Sequence, residues 1–402
     1  MAEFLLIEGC NFEDYPVGGQ LSFAKQMMTA FGNRAALVGI STDDTPTGRW
    51  VQKDFGGVEY CYFAMAKRVP SGRRPLIPGR LSNYWNVWRH RREILSLGVG
   101  KAFVQAAEAL MVVSNWGLES LCYRFPGVQN PLLAPRYAYG RMLANVFDRK
   151  LFAALRRADV ILASADEEAI AGLVERSRGS LSRERILQFP TRVDTDQFHP
   201  VPILEARAEL GILTPGPVLV SVGRINLHKG WRLLLESLAL LLRTHVDARL
   251  FFVGDGEDRS ELEEAAARQG LAGQVAVTGF LPALQVAAYV NAADVFLVGS
   301  EKEGWSLAML EALACGKAIV STPVSGAREM ISHGQNGIVV DRRTPEAMVD
   351  AIEKCLRLPD ATAVSLGMAD KYAVKNLCRD ILAVWPALGV SPEASRNKGT
   401  QR

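Results

Sequence analysis

From Val218 onward, short unbroken apolar runs alternate with stretches in which apolar positions recur every third or fourth residue. The runs Val218–Val222, Arg249–Val253, Val275–Thr278, Val295–Val298, Ala318–Ser321 and Ile338–Val340 predict strands. The stretches Gly230–Arg243, Arg259–Arg268, Leu284–Asn291, Leu307–Ala314, Ala327–Ser332 and Glu346–Leu356 predict helices. A short run with no polar alternation is a strand buried on both faces, which is the condition of a parallel sheet covered by helices. The pattern therefore predicts an α/β, doubly wound, Rossmann-like domain.

The first half follows the same theme with less regularity. Phe4–Ile7, Ala36–Ile40, Tyr60–Phe63, Ala109–Val113, Val160–Ala163 and Ile186–Phe189 read as strands. Gly19–Ala30, Tyr84–Leu95, Tyr137–Ala158 and Asp166–Val174 read as helices. Arg68–Arg80, rich in proline and glycine, reads as a loop. Pro190–Pro200, with a proline at each end and Thr and Asp between, reads as a stiff connector, and the polar stretch after Val390 as a frayed tail. Two such domains joined by a short linker would form a cleft between the C-terminal edges of their sheets, where ligands bind.

The chain has 402 residues, 49% of them hydrophobic and 22% charged. This is ordinary globular composition and excludes a disordered, collagenous or disulfide-stapled chain. No apolar run reaches the roughly 18 residues of a membrane span. The start, MAEFLLIEG, has no charged leader region and reads as a first buried strand, so a cytoplasmic protein is expected. The net charge of +3 hides an asymmetry, with residues 1–195 carrying 25 Lys/Arg against 19 Asp/Glu and residues 196–402 carrying 21 against 24. The first half is the better match for an anionic partner, but its excess falls short of a nucleic-acid binder. The six cysteines form no CxxC pair and the five histidines no HxxxH. No metal site is expected.

Candidate chemistry concentrates in Glu303–Gly316, EGWSLAMLEALACG, where seven residues separate Glu303 from Glu311. Gly304 permits a tight turn and Leu307 begins a helix. Glu303 falls on the loop after a buried strand and Glu311 about a turn into the helix. The helix N-terminus offers free N–H groups suited to phosphate, and the carboxylates can accept hydrogen bonds from sugar and ribose hydroxyls. On spacing alone, two glutamates on a solvated helix are better explained by chance.

The whole string resembles the EX7E signature of retaining GT-B glycosyltransferases, in particular glycosyltransferase family 4. VGRINLHKG (Val222–Gly230) is similar to that family's diphosphate-binding segment, FVGDGED and TGFLP to its next strand ends, and TPVSGAREMI and NGIVV to its closing segments. RVDTDQFHP resembles its interdomain linker. The likeness runs from about Arg192 to Val340. In the first half only the Gly18–Gly19 loop and ADVILASA (Ala158–Ala165) look familiar.

The resemblance implies two Rossmann-like domains facing each other across a cleft: residues 1–192 for the acceptor, 193–369 for a nucleotide-sugar donor, 370–389 as helices crossing back, and 390–402 as a flexible tail. It implies retaining transfer of a sugar, with a UDP-sugar the favoured donor, no metal and no cofactor. Arg224 and Lys229 would hold the diphosphate, Glu303 the transferred sugar and Glu311 the ribose. Gly304 and the amides of Trp305, Ser306 and Leu307 would face sugar or phosphate. Gly18 and Gly19 would let backbone approach the ligand, a simple turn before a helix being the alternative, and Phe280 and Leu281 would line the base, though Phe280 suits a core position equally well. Acceptors implied are glycans or lipid-linked molecules, with a small soluble metabolite as the alternative. A nucleotide-sugar epimerase and a non-catalytic nucleotide-sugar-binding subunit are the other readings.

The sequence departs from the family pattern in three places. Ser306 stands where the family usually has a second glycine. Gln129 and Asn130 occupy the acceptor-side loop where many relatives carry a histidine. The stretch Cys61–Gln105 matches poorly. Two motifs point elsewhere: Asp194–Asp196 is a DxD, read as a turn in the linker, and Gly254–Gly256 lacks the third glycine of a dinucleotide fingerprint. Arg73–Arg92 holds six arginines, two tryptophans and a tyrosine, which suits either a peripheral membrane contact or an ordinary solvated helix.

Overall fold

The computed structural model describes residues 2–16, 18–68, 78–133, 140–359 and 361–389. Most of the proline-rich loop, the start of the predicted helix Tyr137–Ala158 and the polar tail lie outside these residues. The chain divides into two compact units, one of Met1–Pro190 together with the segment from Lys375 on, the other of Thr191–Val374.

The first unit has eight strands: β1 (Phe4–Ile7), β2 (Ala35–Ser41), β3 (Trp50–Phe55), β4 (Val58–Lys67), β5 (Lys101–Val104), β6 (Ser120–Phe125), β7 (Val160–Ala163) and β8 (Ile186–Gln188). They form one sheet in the order β3-β4-β2-β1-β5-β6-β7-β8. Only β3 runs antiparallel, as an added edge on β4. Alternation is hidden inside the apolar runs. In β1, Leu5 and Ile7 face a core closed by the helices Gly79–Arg89, Ala107–Val113 and Gly140–Leu155. Phe4 and Leu6 face the opposite core, closed by the helices Gly19–Phe31 and Leu377–Val384.

The last of these helices is held firmly. Trp385, just beyond its end, is 1% exposed and packs edge-on against Phe4, with 6.0 Å between ring centroids. Its indole N–H donates to Ser120 Oγ at 2.8 Å.

The second unit has six parallel strands: β9 (Val218–Val222), β10 (Arg249–Val253), β11 (Val275–Val277), β12 (Val295–Val298), β13 (Ala318–Ser321) and β14 (Gly337–Val339). Their order is β11-β10-β9-β12-β13-β14. Numbered within the unit this is 3-2-1-4-5-6, the doubly wound order, whose direction reverses between β9 and β12. Phe296 and Val298 face one core, Val295 and Leu297 the other.

Most predicted elements of this unit fall within a residue or two of the observed ones; a helix at Ile203–Glu209 was not predicted. In the first unit one prediction is overturned: Ala109–Val113 belongs to the helix Ala107–Val113. Almost all of that helix is buried, so its apolar residues run together as they would in a strand. Strands β3, β5 and β6 were not predicted. Among the described residues, no helix is long and apolar enough to cross a membrane.

Candidate active site at the strand-order reversal

The loops that follow β9 and β12 line one pocket of the second unit, partly open to solvent. Ligands of doubly wound sheets bind at this position, where neighbouring connections leave in opposite directions and open a crevice. The sequence shapes the loop after β9 through its glycines. Gly223 has φ 146° and the next strand's Gly254 has the same value, and a Cβ on Gly254 would lie 2.1 Å from Gly223 O. A Cβ on Gly256 would lie 2.1 Å from Ile225 O. Glycine at 254 and 256 therefore allows the two loops to touch, and backbone bonds join them: Gly223 N to Val253 O at 3.0 Å and Ile225 N to Asp255 O at 3.0 Å. This close approach accounts for the partial dinucleotide-like spacing. With Ile225 buried, Arg224 is left exposed at the pocket and pairs with no side chain among the described residues.

A short 3₁₀ turn, Leu227–Lys229, follows, and the Asn226 side chain caps it by accepting from Lys229 N at 3.0 Å. Gly230, with φ 75°, sits so close to the end of β12 that a Cβ would lie 1.8 Å from Gly299 O. Lys229 is thereby aimed at the loop after β12. Its Nζ donates to Glu303 Oε1 at 2.6 Å, and Ser300 Oγ donates to the same oxygen at 2.6 Å. Ser300 is itself fixed, since Thr322 Oγ1 donates to its carbonyl at 2.7 Å. Ser300 and Thr322, which hold Glu303 in place, were not named by the sequence reading. Both are common residues at strand ends, without a motif of their own.

Ser306 is the N-cap of the helix Leu307–Ala314, accepting from Met309 N at 3.3 Å, and with Ala308 it lines the pocket. The free N–H groups of this helix start thus lie beside Arg224, Lys229 and Glu303. The Trp305 side chain points into the core, against Gly326 and Tyr372. Glu311 is half-buried in the second turn of the helix. No side chain among the described residues pairs with it, and desolvation alone pushes its carboxyl up to about 7. Phe280 and Leu281 follow β11 at the same sheet edge but outside the pocket lining; Phe280 is exposed and Leu281 packs against the core. Asp194, the first residue of the DxD, accepts from Asp196 N at 3.0 Å and from the side chain of Gln197 at 2.7 Å, closing a turn.

The remaining candidates lie in the first unit. Gly18, with φ 154°, precedes the helix Gly19–Phe31, and neither glycine has an atom within 4 Å of where its Cβ would be. Gln129 is exposed and lines a second pocket with Gln105, Tyr123 and Phe147. Asn130 is not available there. It is buried, its Nδ2 donates to Ala144 O at 3.0 Å and its Oδ1 accepts from Leu132 N at 2.9 Å, so it anchors the turn to the next helix. The reading also missed a buried chain of polar groups. Gln105 donates to Glu8 Oε1 from Nε2 at 2.9 Å and from its backbone at 3.1 Å, and Arg124 Nη1 donates to Gln105 Oε1 at 2.9 Å. Burial pushes the Glu8 carboxyl up to about 8 against those bonds. The only sequence signal was a glutamate ending the first apolar run.

Two Rossmann-like parallel-sheet units define the GT-B fold. Solved structures of similar fold include sucrose-phosphate synthase from Thermosynechococcus elongatus (TM-score 0.76, 17% identity, 97% of this chain and 99% of that one). Another is Anabaena HepE in complex with UDP-glucose (TM-score 0.71, 18% identity, 96% and 99%). Residues 203–369 match the family described as Glycosyl transferases group 1. Alpha-D-kanosaminyltransferase of Streptomyces kanamyceticus is 31% identical over 203 residues, 48% of this chain and 52% of the relative. A GDP-mannose-dependent alpha-(1-6)-phosphatidylinositol monomannoside mannosyltransferase of Mycolicibacterium smegmatis is 34% identical over 192 residues, 46% and 50%. The chain spans about half the length of the curated relatives it matches.

Proposed function

We propose that the chain is a glycosyltransferase that moves a sugar from a nucleoside diphosphate donor to an acceptor hydroxyl with retention at the anomeric carbon. The observation that carries this reading is the convergence of Arg224, the Lys229–Glu303 pair and the start of the helix Leu307–Ala314 on one pocket of the second unit. Two cations and a helix N-terminus suit a diphosphate, and a carboxylate beside them suits the hydroxyls of the sugar it carries. The group 1 domain, the transferase names of the relatives and the UDP-glucose bound to HepE support the same reading.

In the proposed reaction the bond from the anomeric carbon to the phosphate oxygen breaks and one to the acceptor oxygen forms on the same face. The acceptor proton passes to the departing diphosphate. Arg224, Lys229 and the helix amides stabilise the charge that develops on that leaving group. Glu311, a turn deeper, accepts hydrogen bonds from the ribose.

Calorimetric titration with UDP, GDP, ADP and TDP, without added metal, tests the site. One nucleotide should bind clearly best. Arg224→Ala should weaken it by about 1.5–3 kcal/mol, roughly ten- to a hundredfold, the cost of a charge-assisted hydrogen bond. Binding of none of the four by the folded protein, or unchanged affinity in the variant, would overturn the assignment.

A further inference from the structure

The helix Gly79–Arg89 shows the reverse of the usual surface pattern. Its inward face buries Asn83 and Val87, while Leu81, Trp85 and Trp88 form an apolar stripe on the outward face. At 100° per residue these three fall within about 60° of one another. Trp85 and Trp88 are 55% and 57% exposed, and their rings stand edge to face at 5.4 Å. Two tryptophans held this way against water are costly unless something covers them.

A second stripe lies on the same helical layer. The helix Ala107–Val113 packs against both Gly79–Arg89 and Gly140–Leu155, and all three close the same core. On the outer side of Gly140–Leu155, Met142, Leu143 and Val146 are exposed, Met142 to 83%. One turn further along that face stand Arg149 and Lys150, both exposed.

Charge decides what covers this layer. On these two helices and the short one that follows the first (Arg91–Leu95), Arg89, Arg92, Arg141, Arg149 and Lys150 are among the exposed cations, and Glu93 is the one exposed acid. A second copy docking through the same face by twofold symmetry would bring these cations against one another. An anionic lipid surface complements both features, with tryptophan at the headgroup boundary, aliphatic side chains below it and Arg/Lys at phosphate level. We infer that the first unit docks on anionic membrane through Leu81, Trp85 and Trp88 together with Met142, Leu143 and Val146. The inference is independent of the donor site, which lies in the other unit.

Co-sedimentation and tryptophan fluorescence with vesicles of phosphatidylcholine and phosphatidylglycerol, against phosphatidylcholine alone, test it. The protein should bind the anionic vesicles, shift its emission to the blue and dissociate as salt rises past about 0.15 M. Trp85→Ser/Trp88→Ser should cut vesicle binding about tenfold or more while melting temperature and nucleotide affinity stay unchanged. Arg149→Glu/Lys150→Glu should remove the preference for anionic lipid. No binding to anionic vesicles at low salt, or equal binding by the tryptophan variant, would overturn the inference. So would self-association in ultracentrifugation that the tryptophan variant abolishes without any vesicle binding, which would assign the face to a second copy.

Discussion

Lys229 Nζ lies 2.6 Å from Glu303 Oε1, so a cation from the loop after β9 and a carboxylate from the loop after β12 meet across the strand-order reversal of the second unit. The pair is partly exposed, and Ser300 Oγ donates to the same carboxylate oxygen.

Glu303→Gln keeps the size of the side chain and removes its charge. Lys229 is then no longer paired with an anion, and a diphosphate placed beside it meets one negative charge fewer. Nucleoside diphosphate affinity should hold or tighten, by up to about tenfold, while single-turnover transfer collapses. Calorimetry and rapid-quench kinetics on the same preparation check both halves. Loss of binding with transfer retained would contradict the role given to Glu303.

Glu311 gives the site a pH dependence. A carboxylate that accepts from ribose hydroxyls acts in its ionised form, and desolvation has pushed this carboxyl up to about 7. Nucleotide affinity should therefore rise between about pH 6 and pH 8, by at most about tenfold per unit below the transition. Glu311→Gln should remove this part of the rise in calorimetric titrations, leaving only the part from the nucleotide's terminal phosphate, which itself titrates near about pH 6.

Glu8 should affect stability. Its folded carboxyl is pushed up to about 8 from an ordinary value of 4.5, so the folded protein holds a proton that the unfolded chain has released. The stabilisation from this group is complete below about pH 4.5 and is lost as pH rises toward about 8. Glu8→Gln should make the melting temperature of the first unit less steep in pH across that window. A slope equal to that of the unchanged protein would show that Glu8 is already ionised in the fold.

Gly230→Ala places a methyl group 1.8 Å from Gly299 O at φ 75°. The backbone must move, and the turn that aims Lys229 moves with it. The second unit should lose at least about 1 kcal/mol, which is roughly 2–4 °C in melting temperature for a unit of this size. Nucleotide affinity should fall with it. Differential scanning calorimetry with and without nucleotide separates the two effects.

The pocket of the second unit was legible because its parts are local in sequence. A glycine-bearing loop follows one apolar run, and a helix start follows another. The first unit was less legible for reasons visible in its residues. The strand Ser120–Phe125 carries Arg124, which is buried by stacking its guanidinium 3.7 Å from the centre of the Phe23 ring, so a charge sits inside a strand. The strand Trp50–Phe55 is a partly polar edge. The segment Ala107–Val113 is a helix with almost no polar face, which periodicity cannot distinguish from a strand. The Lys229–Glu303 bond spans 74 positions and the Arg124–Gln105–Glu8 chain joins three strand ends. Neither leaves a local pattern.

Trp385 carries a consequence for the order in which the chain is made. It fills the core between Phe4 and Phe103, yet it is synthesised after the whole second unit. While the ribosome is adding residues 191–374, the first sheet has all eight strands but lacks the helix that covers part of one face. The aromatic socket around Phe4 is then open to water. The second unit is a contiguous stretch and can close on itself first, whereas the first unit can finish folding only after the last helix has emerged.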